Sequence, residues 1–328
     1  MQQWFERAWQ HGHPLLWLLA PLTLLFIGIS ALRRWLFAAG VKSSIEVDVP
    51  VVVVGNISVG GNGKTPTVLY LTELLQRSGY RPGIISRGYG GDSKQHPMLV
   101  DSNSDPKLCG DEPLLMAQRS QVPLAVGSDR VAAAKLLIDS GLVDILISDD
   151  GMQHYRLGRT IEVAVIDGVR RFGNGLRLPM GPLRESVGRL QYCDLLICNG
   201  GTAQSGEWLM KLQPADWLKV DGSGAATPAG EMVAMAGIGH PPRFFDTIAE
   251  LGLRPVQCHA FVDHMPYSAE MLMPLVSAEQ SLLMTEKDAV KCRDFAQHNW
   301  YYLPVSANLG EKFDSHFLTL LKEKLNGV

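Results

Sequence analysis

The run V-P-V-V-V-V-G at 49–55 is apolar with no polar alternation, and most of its positions are β-branched. A strand of that composition is buried on both faces, so the chain must supply helices to both sides of a parallel sheet. Just beyond it lie S-V-G-G-N-G-K-T at 58–65 and a stretch of helical character that ends at Ser78-Gly79. Strand, glycine-bearing loop and helix in this order are the context of a Walker A phosphate-binding loop. Ser58, Val59, Gly60, Gly61, Asn62 and Gly63 would wrap phosphate with backbone N–H groups, and the helix dipole adds to the attraction. Lys64 would reach the β- and γ-phosphates, and the Thr65 hydroxyl would ligate Mg²⁺. Ser58 replaces the first glycine of the usual pattern, and Val59 stands where a group of dimeric ATPases carries a second lysine. A glycine-rich turn that only happens to end in Gly-Lys-Thr is the bland alternative. The expected cofactors are ATP and Mg²⁺.

The alternation of short apolar runs with amphipathic stretches continues. Strands are predicted at 82–86, 144–148, 161–166 and 194–198, and, past a Gly-, Ser- and Thr-bearing stretch at 220–230, near 232–237, 255–262, 281–284 and 300–305. The expected fold is α/β. It comprises a P-loop NTPase-like parallel-sheet domain over 41–225, a smaller α/β domain over 226–328, and an N-terminal membrane-associated helix within 1–40.

That helix is read from 14–32, PLLWLLAPLTLLFIGISAL, which carries no charge. About 19 residues at a rise of about 1.5 Å span roughly 29 Å, close to the hydrocarbon thickness of a bilayer. Arg33 and Arg34 follow at once, and Trp17 and Trp35 sit near the two ends as interfacial anchors. If the helix spans, the arginines would place the downstream domain in the cytoplasm. Pro14 and Pro21 leave spanning and lying in the interface both open, and a cleaved signal peptide or a buried core helix competes with membrane contact.

A net charge of -3 argues against nucleic acid as a partner, since a polyanion binder carries a basic excess. The five cysteines show no C-x-x-C pair, which fits free thiols in a reducing compartment rather than zinc or disulfides. No obligate protein partner is expected.

Carboxylates recur where strands end. D-I-L-I-S-D-D delivers Asp149 and Asp150 to the edge at which open parallel sheets bind ligands, the Walker B position for Mg²⁺. G-M-Q-H follows and brings Gln153 toward the same cleft. In G-D-E-P, the two acids Asp111 and Glu112 offer a base or positioning carboxylate for an attacking hydroxyl, although two acids before a proline also make a good helix start. Arg87 in S-R-G-Y-G-G and Arg171 in R-R-F-G-N-G suit an anionic group, or plain turns. Asp263-His264 and T-E-K-D at 285–288 lie at further strand ends.

From the first helix to Lys291 these stretches, with F-G-N-G-L-R-L-P-M-G-P-L-R-E at 172–185, F-V-D-H-M-P-Y and T-E-K-D-A-V-K, resemble the tetraacyldisaccharide 4'-kinases of lipid A assembly in Gram-negative bacteria. The resemblance implies transfer of the γ-phosphoryl of ATP to the 4'-hydroxyl of an acylated glucosamine disaccharide 1-phosphate, at the cytoplasmic face of the bacterial inner membrane. It also implies a smaller domain joined by a β-ribbon, with Asp111 as the base paired with His264. By the same resemblance Asp149 and Asp150 hold or orient Mg²⁺, while Gln153, Arg171 and the 86–90 loop with Arg87 border the cleft. Where the family often has a second histidine after His264, this chain has Met265. A kinase for another glycolipid acceptor and a regulatory membrane NTPase are the competing functions.

Overall fold

The computed structural model describes residues 2–88 and 97–327. Its strands are β1 (Val51–Gly55), β2 (Pro82–Ser86), β3 (Met98–Val100), β4 (Leu124–Val126), β5 (Ile145–Asp149), β6 (Ile161–Asp167), β7 (Leu195–Asn199), β8 (Glu207–Pro214), β9 (Leu218–Lys219), β10 (Met232–Ala236), β11 (Gln257–Ala260), β12 (Ser281–Thr285), β13 (Trp300–Leu303) and β14 (Val305–Asn308). The helices are α1 (Gln2–His11), α2 (Ala20–Ala38), α3 (Lys64–Arg77), α4 (Pro106–Cys109), α5 (Asp111–Ser120), α6 (Arg130–Asp139), α7 (Pro241–Glu250), α8 (Ala269–Leu272), α9 (Glu286–Ala289) and α10 (Glu311–Asn326).

Among the described residues the strands form two sheets, ordered β14-β8-β7-β6-β1-β5-β2-β4-β3 and β11-β10-β12-β13-β9. The larger sheet is parallel from β8 to β4 and antiparallel only at its edges, where β14 meets β8 and β3 meets β4. As the unbroken valine run required, β1 is central and buried throughout. Val52 and Val54 face Val68, Leu71 and Leu75 of α3 and Phe313 and Phe317 of α10. Val51 and Val53 face the other way, toward Val131, Ala134 and Leu137 of α6. Two-residue periodicity thus gives one strand two cores.

Both crossings between the sheets lie side by side. The first follows β8 into β9, ahead of residue 226. The second is at Pro304, which splits the strand expected over 300–305: β13 pairs in the smaller sheet, and β14 returns to pair with β8, Val305 opposite Pro214. Proline has no N–H to continue a ladder, so the chain changes sheets there. The end of the expected 226–328 unit, β14 and α10, therefore packs on the larger sheet, where the Tyr70 hydroxyl donates to Asp314.

The N-terminal apolar segment runs further than read, over Pro14–Ala38, as a 3-10 turn at Pro14–Leu19 followed by α2. Arg33 and Arg34 lie inside the helix rather than after it. Most of the segment is uncovered; Leu18, Leu22, Leu25 and Ile29 all expose more than half their surface. Where it does dock, Thr23 accepts a hydrogen bond from the Met180 amide at 3.1 Å. The Trp9 indole of α1 donates to the Pro179 carbonyl at 3.0 Å.

Phe313 is fully buried between α3 and the sheet. Phe313→Ala should cost about 3–5 kcal/mol of unfolding free energy, read as a lowered denaturation midpoint in the larger unit. A loss below about 1 kcal/mol would mean that α10 is not integral to that core.

Candidate active site

Every strand of the parallel core points its C-terminal end toward one cleft of about 1400 Å³, to which α7, α9 and the loop after β11 contribute from the smaller sheet. The 58–65 loop forms its floor. Lys64 and Thr65 open α3, and Val59, Gly60, Gly61, Asn62 and Gly63 line the same space. Ser58 is buried beside it and accepts a hydrogen bond from Asn62 Nδ2 at 2.8 Å. Gly63 has φ of 96°, and a Cβ there would lie 2.3 Å from Asn199 Nδ2. Asn199, at the end of β7, donates to the Asn62 carbonyl at 3.0 Å, so the loop is braced from the neighbouring strand. From the other side Arg170 donates to the Gly61 carbonyl at 2.8 Å while its Nε holds Asp167 at 3.0 Å. Gly239 of the smaller sheet approaches so closely that a Cβ on it would meet the Gly61 nitrogen at 2.3 Å.

The two acids that end β5 differ in state. Asp150, with φ of 48°, is 3.5 Å from Lys64 Nζ and 3.1 Å from Arg184. Burial opposes its ionisation, but Lys64 and Arg184 outweigh it and bring the carboxyl down to about 2. Asp149 is buried, accepts from Ser86 at 3.0 Å and keeps Oδ1 without a hydrogen-bond partner. Burial, then the charges of Glu112 and Asp150, push it up to about 6. An enclosed, unpartnered carboxylate oxygen near a lysine and a helix-opening threonine fits Mg²⁺, which binds few protein ligands and keeps phosphate and water for the rest. No cluster of three or more His, Cys, Asp or Glu side chains suited to a metal occurs among the described residues.

Across the cleft the two sheets meet. Asp111 opens α5 and is 7% exposed; its Oδ1 lies 3.0 Å from His264 Nδ1, and its Oδ2 has no hydrogen-bond partner. Burial raises the Asp111 carboxyl, but the His264 hydrogen bond and the Lys287 cation prevail and bring it down to about 2. His264 has φ of 60°, rare for a residue with a side chain, and its amide is held by Asp263 at 3.1 Å. Burial lowers its pKa, yet the bond to Asp111 leaves it raised overall. Lys287 Nζ bridges Glu112 at 2.8 Å and Asp263 at 2.9 Å.

Arg87 is exposed on the cleft wall, and Tyr89 and Gly90 of its loop lie outside the described residues. Gln153 lines the cleft but spends its amide on Glu185 at 2.8 Å and the Asn56 carbonyl at 3.0 Å. Arg171 does not border the cleft as expected. Its guanidinium is bound at both ends by Glu207, at 2.6 and 2.9 Å, and the adjacent Arg170 turns toward the loop instead. In a pair of successive arginines only the backbone decides which one faces inward. Sequence reasoning also missed Arg130, buried and donating to the Asp149 carbonyl at 2.7 Å, although Asp129-Arg130 stands at a helix start.

Comparison with known proteins adds an independent line. A protein-family model described as tetraacyldisaccharide-1-P 4'-kinase matches residues 15–322. The tetraacyldisaccharide 4'-kinase of Shewanella frigidimarina is 51% identical over 325 residues, 98% of this chain and 96% of that one. The Shewanella piezotolerans enzyme of the same name is 50% identical over 327 residues, 98% of each. Among solved structures, LpxK from Aquifex aeolicus in complex with ATP superposes with a TM-score of 0.79 at 26% identity, over 94% of this chain and 99% of that one.

Gly63→Ala should weaken ATP binding about tenfold or more, because strain of about 1–3 kcal/mol falls on the loop that Asn199 braces. Gly28→Ala, at a helical position with open space around it, should leave binding unchanged. Equal affinities by calorimetry would show that the bracing does not matter.

Proposed function

Since the chain belongs to the tetraacyldisaccharide-1-phosphate 4'-kinase family, we propose that the Asp111–His264 pair is its catalytic base and that the cleft between the sheets is where both substrates meet. The enzyme transfers the γ-phosphate of ATP to the 4'-hydroxyl of tetraacyldisaccharide 1-phosphate, a step of lipid A biosynthesis, and uses Mg²⁺. The observation that carries the site assignment is the 3.0 Å contact of Asp111 with His264, which joins an acid of the larger sheet to a histidine of the smaller one beside the phosphate-binding loop.

The steps follow from where charge sits. Lys64 and the N–H groups of 58–65 hold the β- and γ-phosphates. When bound, Mg²⁺ would supply further positive charge to offset that of the phosphates, and Thr65 with Asp149 or Asp150 would hold it. His264 Nδ1–H fixes Asp111 Oδ1, which leaves Oδ2 free to accept the proton of the attacking hydroxyl. A carboxylate brought down to about 2 is ionised throughout the working pH range. Little bonding to the attacking oxygen is needed in a loose transition state, so a weak base placed well is sufficient.

We assign the acceptor's lipid part to α2, whose inner side at Phe26, Ser30, Arg33 and Arg34 borders the same cleft. Arg34 also pairs with Glu185 at 3.6 Å, which supports the reading that this half of the helix lies along the protein. The exposed row Leu18, Leu22, Leu25 and Ile29 then enters the membrane surface sideways, with the arginines and the ATP site on the cytoplasmic side of the inner membrane. Two domains are part of this reading: the larger sheet with β14 and α10, and the smaller sheet joined to it through the β8–β14 ribbon.

Transfer of label from γ-labelled ATP to the tetraacyldisaccharide 1-phosphate in detergent micelles should fall about 10²- to 10⁴-fold in Asp111→Asn, with ATP affinity preserved. Full activity of that variant would remove Asp111 from the chemistry. Combined Leu22→Ser, Leu25→Ser and Ile29→Ser should lower vesicle binding about tenfold or more and spare ATP binding in solution. Unchanged partition would mean that another surface meets the membrane.

A further inference from the structure

The turn T-E-K-D has no task in the transfer described above, yet it is among the most tightly built features of the smaller sheet. Asp288, fully buried, accepts from Thr285 at 2.6 Å, from the Gly237 amide at 3.0 Å and from the Tyr267 hydroxyl at 2.9 Å. That anchoring sends the neighbouring Lys287 across the interface, where only 13% of its side chain is exposed. Its Nζ lies 2.8 Å from Glu112 Oε1, 2.9 Å from Asp263 Oδ1 and 3.3 Å from His264 Nε2. An ammonium has three protons and no lone pair, and here it meets three acceptors.

We propose that Lys287 is a positioning residue for the phosphoryl transfer: by donating to His264 Nε2 it keeps the ring proton on Nδ1, facing Asp111, and by bridging Glu112 to Asp263 it assembles the base only while the two sheets are docked. The inference rests on the assignment of Asp111 as the base. A ring nitrogen that accepts from an ammonium leaves the other nitrogen as donor, which is the arrangement that orients Asp111 Oδ1. Lys287 also stands 4.0 Å from the unpartnered Asp111 Oδ2, too far for a hydrogen bond and near enough to favour the carboxylate. The charges around this cation are Asp111 and Glu112 from α5 and Asp263 and His264 from the loop after β11. Lys291 lies beyond α9 and acts on Asp111, and Lys64 faces Glu112 from the phosphate-binding loop. Removing Lys287 leaves three acids and a histidine with less positive charge, so each holds a proton more readily.

The sign is therefore fixed. In Lys287→Met the acid limb of the kcat–pH profile should move to higher pH by about one unit or more. Its kcat at neutral pH should fall about tenfold or more, with KM for ATP within about threefold of the parent value. Lys287→Arg keeps the cation and should keep the acid limb in place. Should the methionine variant fail to fold, Lys287→Gln, which is uncharged but polar, carries the same expectation. An acid limb that stays put in the neutral variants, or equal impairment of arginine and methionine variants with one common pH profile, would overturn the proposal and leave Lys287 a structural tie. Asp111→Asn, measured alongside, separates the two levels. If it is active, the assignment of the base fails and this inference with it; if it is inactive while the limb stays put, only the role of Lys287 fails.

Discussion

Burial of β1 on both faces is the constraint on which the rest of the molecule depends. A strand with no polar edge positions must sit in the middle of a sheet and be covered twice, which α3 and α10 do on one side and α6 on the other. Its flanking partners are then β5 and β6, parallel to it and in register so that Val54 lies opposite Asp149 and Gly55 opposite Ala164. The loop after β1 therefore opens beside the acids that end β5 and beside Asp167, which ends β6. Phosphate-binding donors, a lysine and strand-end carboxylates converge because three buried strands stop at one level.

Electrostatics explains why the second sheet is needed. The loop and α3 attract negative charge, and so does Lys64; the acids Asp149, Asp150, Asp111 and Glu112 crowd the same wall. Arg184 and Lys64 hold Asp150 as a carboxylate, whereas Asp149, deeper and next to like charges, is pushed the other way. Glu112 and Asp111 find their nearest counter-charge across the interface, in Lys287 and His264. A second tie, Arg119 with Glu286 at 2.7 Å, joins α5 to α9 in the same way. Removing one partner of such a pair leaves the other charge enclosed and uncompensated, so each of these residues depends on its counterpart across the interface.

The amphiphilic acceptor imposes the remaining demand. Its sugar must reach a polar, water-poor cleft while its acyl chains stay in an apolar phase. A helix that presents one side to the cleft and leaves Leu18, Leu22, Leu25 and Ile29 uncovered on another meets both needs. The Thr23 hydrogen bond to Met180 fixes that helix to the body of the protein, and the Trp9 bond to Pro179 fixes the preceding α1.

Much of this was legible in order along the chain. The valine run, the Gly-Lys-Thr loop and the acids of D-I-L-I-S-D-D are local patterns, because a strand's burial and a loop's backbone freedom are written in neighbouring residues. They gave the α/β class, the parallel sheet and the phosphate-binding loop. What depended on distant residues was not legible. Pro304 marks a change of sheet only when both sheets exist, and Arg170 rather than Arg171 faces the loop because of how β6 ends. Arg130 looks like an ordinary surface cation until the fold encloses it, and the motifs that hold Arg184 and Lys287 do not say which carboxylates those cations will face. The sequence by itself determined which chemical groups were available and on which strand ends they stood. Only the tertiary structure decided which charges face one another, since Coulomb interactions and hydrogen bonds act over a few ångströms in space, between residues as far apart in the chain as Asp111 and His264.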